Sequence, residues 1–122
     1  MKDIMDKLEY KGKEYKLIFN LNVLEEIQDK YGTLAKMLEE AYGKKTGEPS
    51  IKALSFIIMS MANEAIDIEN ENTVTPAPLI NQKMANRMLT EFIQKNSVDD
   101  VVKLVDGLMA KSLQGGENSK NE

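Results

Sequence analysis

The side chains able to do chemistry in this sequence form a short set: carboxylates, lysines, tyrosines, serines and threonines. Histidine and cysteine are both absent. That removes the imidazole base, the thiolate nucleophile and every imidazole or thiolate metal ligand. Paired carboxylates of the kind that hydrolyse glycosides stay formally open, yet the carboxylates here fall on the polar faces of helices, where solvation accounts for them. Gly43 to Pro49 (GKKTGEP) invites comparison with a phosphate-binding loop. It lacks the upstream glycine of G-x-x-x-x-G-K-[ST], and no parallel βαβ pattern surrounds it. Two glycines, charge and a proline read instead as an exposed helix connection. The chain is therefore read as non-enzymatic, with no catalytic, cofactor-binding or metal-binding residue.

The elements that would position any surface begin with a hairpin. Leu8 and Tyr10 alternate with charged neighbours, and Tyr15, Leu17 and Phe19 alternate with Glu14, Lys16 and, less cleanly, Ile18. Period-two alternation places each apolar set on one face of a strand. Gly12 lies between the runs and can supply a positive φ for a tight turn. Two strands are marginal alone, so the hairpin, over about residues 7–19, must pack on the segments after it.

Those segments are helical. Asn20 or Asn22 starts the first helix, with Asn22 and Glu25 spaced as a capping box. Leu24, Ile27 and Tyr31 give its apolar face, and Gly32 suits its end. Thr33 caps a short second helix carrying Leu34, Met37, Leu38 and Ala41. Ser50 caps a third, whose apolar residues from Ile51 to Ile68 cover most of its circumference, as in a central core helix. Asn70 to Pro78 (NENTVTPAP) reads as a loop. A fourth helix is expected over about Leu79 to Lys95. A fifth opens at Ser97, with acids in its first turn, and stops at Gly115-Gly116. The fold class is thus α+β, mostly α: one domain over 1–114, an N-terminal β-hairpin on a bundle of four to five helices. Residues 115–122 read as a disordered tail.

Composition bounds the function. The 122 residues suit one domain, and 42% hydrophobic content supports a core. With 16 basic against 20 acidic residues the net charge is −4, the wrong sign for a protein whose affinity rests on neutralising phosphates. A helix-turn-helix around Gly32 fares no better, since LAKMLEEAY lacks the residues that read base edges. No apolar run approaches the length of a membrane span. No apolar signal segment is visible at the N-terminus, and the absence of cysteine agrees with a reducing cytoplasm. Methionine is in excess, at 8 residues. Met side chains either fill a core or make an adaptable greasy surface for a helical client. The second use would assign protein contact to Met84, Met88 and Phe92 on the fourth helix and Leu104, Leu108 and Met109 on the fifth. The outer edge of the hairpin offers a further surface, and its open strand permits self-association.

One passage carries a family resemblance. Lys11 to Tyr15 (KGKEY), then Phe19, Asn22 and Leu24, then a Glu-rich helix ending at Tyr31-Gly32, resembles the opening of the tail assembly chaperones of long-tailed, non-contractile bacteriophages and related prophages. It covers about the first third of the chain. The resemblance implies a non-catalytic protein that binds and solubilises the hydrophobic tape-measure protein in the host cytoplasm and is absent from the mature virion. It also implies a longer form, made by ribosomal frameshifting, that recruits the tail-tube protein. Ser119-Lys120-Asn121 is compatible with a slippery A-AAA-AAC heptamer if spelled TCA-AAA-AAC. The alternative of a different class is a small structural or connector protein of a phage particle, or a helical regulatory domain, DNA-binding forms included.

Overall fold

The computed structural model describes residues 6–120, with side chains over 6–112. The alternating segments pair as expected. β1 (Lys7–Tyr10) runs antiparallel to β2 (Lys13–Lys16), with Leu8 opposite Tyr15 and Tyr10 opposite Lys13. Lys11 and Gly12 join them at φ of 52° and 80°. Positive φ at both central residues is what a type I′ turn requires. Glycine adopts it freely, whereas the lysine gives up about 1–2 kcal/mol. β2 stops at Lys16, short of the expected Phe19, because the chain turns onto a helix. Leu17 N–H still donates to the Asp6 carbonyl (2.8 Å), but Ile18 N–H donates to the carbonyl of Met61 (3.2 Å), in the middle of α3 (Ile51–Asn70). Leu17 and Phe19 are buried all the same.

Five helices come after the hairpin: α1 (Leu21–Tyr31), α2 (Leu34–Tyr42), α3, α4 (Gln82–Lys95) and α5 (Val98–Lys120). The fold is α+β and mostly α, a two-stranded hairpin on a helical bundle. α3 is the central element and touches α1, α2, α4, α5 and β2, while β1 lies on α4. Leu54, Ile57, Ile58 and Met61 of α3 have no exposed surface. Among the described residues, no helix is long and apolar enough to cross a membrane.

Thr33, Ser50 and Ser97 cap their helices as the sequence predicts. Two helix boundaries differ, and a third is decided between its two expected caps. Asn20 caps α1: its Oδ1 accepts from the N–H groups of Asn22 and Val23 (3.1 and 3.3 Å). The helix then turns Val23 and Ile27, an i, i+4 pair, fully inward and leaves Leu24 and Tyr31 half-buried. α4 starts three residues late because Asn81 takes the cap, its Oδ1 accepting from Met84 N–H at 2.8 Å. α5 continues through Gly115 and Gly116 to Lys120. Glycine lowers helix propensity by about 1 kcal/mol but raises no steric block. The expected disordered tail falls on residues whose side chains, and at 121–122 also the backbone, lie outside the described residues.

The connection between α3 and α4 is an extended strap laid back along α3. Pro76 and Pro78 hold their own φ near −65° and push Thr75 and Ala77 into extended conformations. Two asparagines of α3 then grip it. Asn70 donates Nδ2 to the Ala77 carbonyl (3.0 Å) and accepts from Ala77 N–H (2.9 Å). Asn63 does the same with Ile80, at 3.0 and 2.8 Å. The match is geometric. Seven residues of helix rise about 10.5 Å, and the three-residue step from Ala77 to Ile80 spans about 10 Å when extended. The Asn63 pair is the more enclosed of the two. Asn63→Ala is expected to cost about 1–3 kcal/mol, because it strands both backbone groups of Ile80. Urea denaturation reads that loss, and hydrogen exchange reads it locally at Ala77 and Ile80. Asn70→Ala, at an exposed pair, should cost less.

Candidate functional site

The strap creates one wall of a groove of about 360 Å³. All four residues of β2 form the opposite wall, and Ala62, Ala65 and Ile66 of α3 lie between the walls. Four consecutive strand residues can line one groove only when it runs along the strand's edge, since neighbouring side chains point to opposite faces. The hydrogen-bond parity agrees. Leu17 N–H points to β1, so Glu14 and Lys16, at even positions, point their N–H and C=O groups away from it. Ile18, the next even residue, is satisfied by α3. The backbone groups of Glu14 and Lys16 form the open edge.

Charge in the groove is uneven. Lys16 is paired with Glu69 (3.9 Å), and Glu14 with Lys7 (3.6 Å). Lys13 and Arg87 also line the groove, and no carboxylate pairs with either among the described residues. Both sit toward the turn end. Lys11 N–H reaches the Glu91 carboxylate (3.4 Å), and Arg87 is one helical turn before Glu91. The Glu91 carboxylate is itself held by Lys95 at 3.7 Å. The groove is therefore cationic near the turn and neutral near Asn70, on a chain whose net charge is −4.

Of the six contact residues expected from the sequence, five sit outside this groove. Met88, Leu104, Leu108 and Met109 are buried in the core, with Met88 at 0% exposure. They present no surface to a client in this conformation. Met84 and Phe92 are half-buried at the margin of the core, and only Met84 lines the groove. The physical reason is the one that makes methionine ambiguous: a flexible, polarizable side chain that suits a client also fills irregular interior gaps. The hairpin edge, also expected as a surface, is open along β2.

A second, wider cavity of about 570 Å³ lies over α1, α2 and the loop after it. It brings together Lys30, Lys36, Lys45 and Lys52, which are scattered in the sequence. Lys45 pairs with Glu39 (3.5 Å) and Lys30 sits over the Phe56 ring (4.9 Å). All four lysines are exposed to solvent, which weakens their hold on any ligand.

A polar seam joins α1 to α3. Ser60 donates to Glu26 (2.7 Å), and Glu64 accepts from the side-chain amides of Asn20 and Asn22 (2.7 and 3.0 Å). Among the described residues, no group of three or more acidic side chains is arranged to hold a metal ion. Two tyrosines have perturbed acidities, and both shift away from activation. Burial, and secondarily the Glu40 carboxylate, raises Tyr31. Burial raises Tyr42 far above its ordinary value of 10.0, helped by the charge of Asp106 and by the hydrogen bond that the Tyr42 hydroxyl donates to Asp106 Oδ1 (3.3 Å). A raised folded pKa means that the neutral phenol is favoured by folding. Its contribution is complete below pH 10 and is lost as the pH rises beyond that value. Stability should fall above pH 10, and Tyr42→Phe should flatten part of that slope in denaturant midpoints measured from pH 8 to 11.

Comparison with family models, with curated proteins and with solved structures finds no match.

Proposed function

We propose that this protein is a tail assembly chaperone of a long-tailed bacteriophage or prophage, a non-catalytic binder that keeps the tape-measure protein soluble during tail morphogenesis. The observation that carries the reading is the order of residues from Leu8 to Leu38: strand, KGKEY turn and strand, the Phe19-Asn22-Leu24 link, and a Glu-rich helix ending at Tyr31-Gly32. Two features support it. The groove is open, with a strand edge along one wall and Ala62, Ala65 and Ile66 at its base, which suits a polypeptide better than a compact substrate. The net charge of −4 keeps copies soluble and mutually repelling before the client arrives. On this reading the protein works in the host cytoplasm, leaves before the particle is complete, and has a frameshifted longer form that meets the tail-tube protein.

The test is fractionation of a producing culture with an antibody to this chain. The protein should appear in lysate bound to the tape-measure protein and be missing from purified particles. Recovery in stoichiometric amounts from finished particles would overturn the reading in favour of a connector.

A further inference from the structure

We propose that the groove along β2 is a strand-addition site that takes an extended segment of a partner protein whose core-facing residues, two apart in its sequence, are apolar over α3 and acidic where the strand meets the turn end. The proposal does not rest on the chaperone reading, since any partner with such a segment would satisfy it.

Three observations carry it. First, the outward backbone groups of Glu14 and Lys16 are those a third strand would pair with, and the next such group, Ile18 N–H, is already taken by α3. The open edge is therefore bounded. It offers room for one short strand, and main-chain pairing supplies affinity independent of sequence. Second, the groove is walled on its far side by a strap that is itself extended and fixed to α3 by Asn63 and Asn70. The site is thus held open by the fold, which lowers the ordering cost of binding. Third, the side chains select. Small residues, Ala62 and Ala65, leave depth for an incoming apolar side chain. Lys13 and Arg87 at the turn end are cations without a carboxylate among the described residues, so a carboxylate on the incoming strand completes them.

A second copy of this chain is a poorer occupant. A symmetric edge-to-edge pair that uses both outward residues would set Glu14 of one copy opposite Lys16 of the other, so charge does not oppose it. The obstacle is the strap that walls the groove, which a second copy's whole hairpin would have to clear and a single extended segment does not.

The test uses the full chain and two capped, fluorescein-labelled peptides, Glu-Thr-Val-Thr-Glu and Lys-Thr-Val-Thr-Lys, which place valine and the charged ends on one face of the strand in either direction of binding. Anisotropy should show the acidic peptide binding at least about tenfold more tightly than the basic one. Amide resonances of Glu14 and Lys16 should shift and gain protection from exchange. Glu14→Pro should abolish binding, because it removes an outward N–H that β1 does not use and leaves the hairpin ladder intact. Arg87→Glu, on the solvent side of α4, should weaken the acidic peptide by about tenfold and serves if the proline variant does not fold. Equal binding of both peptides, no binding of the acidic one, or acidic binding unchanged in Glu14→Pro and Arg87→Glu would each overturn the proposal. So would a concentration-dependent dimer that protects the Glu14 and Lys16 amides without peptide.

Discussion

Gly43→Ala should destabilise the fold by about 3 kcal/mol or more, lowering the melting temperature by roughly 12 °C for a chain of this length. Two costs combine. Gly43 closes α2 at φ 72° in the left-handed region, where an L-residue loses about 1–2 kcal/mol. A Cβ there would also overlap the Glu48 backbone carbonyl and lie 2.7 Å from Pro49 N. The obstruction is backbone, so no rotamer change relieves it. The loop must move, and with it Ser50, whose N–H caps the α2 carbonyls of Glu40 and Ala41 (3.2 and 3.1 Å) and whose hydroxyl starts α3. The damage would reach the central helix. Gly47 supplies the control. It has φ 89° with open space around it, so Gly47→Ala should show the conformational cost alone. Equal effects at the two positions in thermal denaturation would mean that the contact with Glu48 does not matter.

Met88→Ala should cost about 2–5 kcal/mol, the range for emptying a fully buried site of this size. Met88 has 0% exposure on the face of α4 turned inward, beside Ala85 and Leu89. This substitution separates the two uses of methionine directly. A residue kept for a client would weaken client binding while leaving the free protein's stability within about 0.5 kcal/mol. A core residue does the reverse. Urea titration of the free protein is the check, and a stability change below about 0.5 kcal/mol would return Met88 to the surface role.

The hairpin and the central helix are the most legible parts of this sequence, for reasons of periodicity. The alternation around Leu8 and Tyr15 has one half-buried solution, and the continuous apolar stretch of α3 can only be satisfied from several sides. Boundaries are less legible because competing caps are chemically equal. Asn20 and Asn22 can each start α1, and only the inward turn of Val23 and Ile27 decides between them. Leu79 and Ile80 look like a helix start until Asn81 claims the cap. The candidate site is the least legible part. Its open edge depends on strand parity beyond Lys16, and its strap depends on Asn63 and Asn70 standing two turns apart above the Pro-Ala-Pro stretch. That spacing is present in the sequence. Asparagine, however, is equally at home in a solvated helix face, so the signal emerges only once the strap's course is known.

Co-expression with the tape-measure protein that the proposed function requires tests that proposal most directly. The measured quantity is the fraction of that protein in the soluble lysate with and without this chain. The account predicts that the tape-measure protein moves from the pellet to the supernatant and co-purifies with several copies of this chain. A tape-measure protein that stays in the pellet, while this chain remains soluble and unbound, would contradict it.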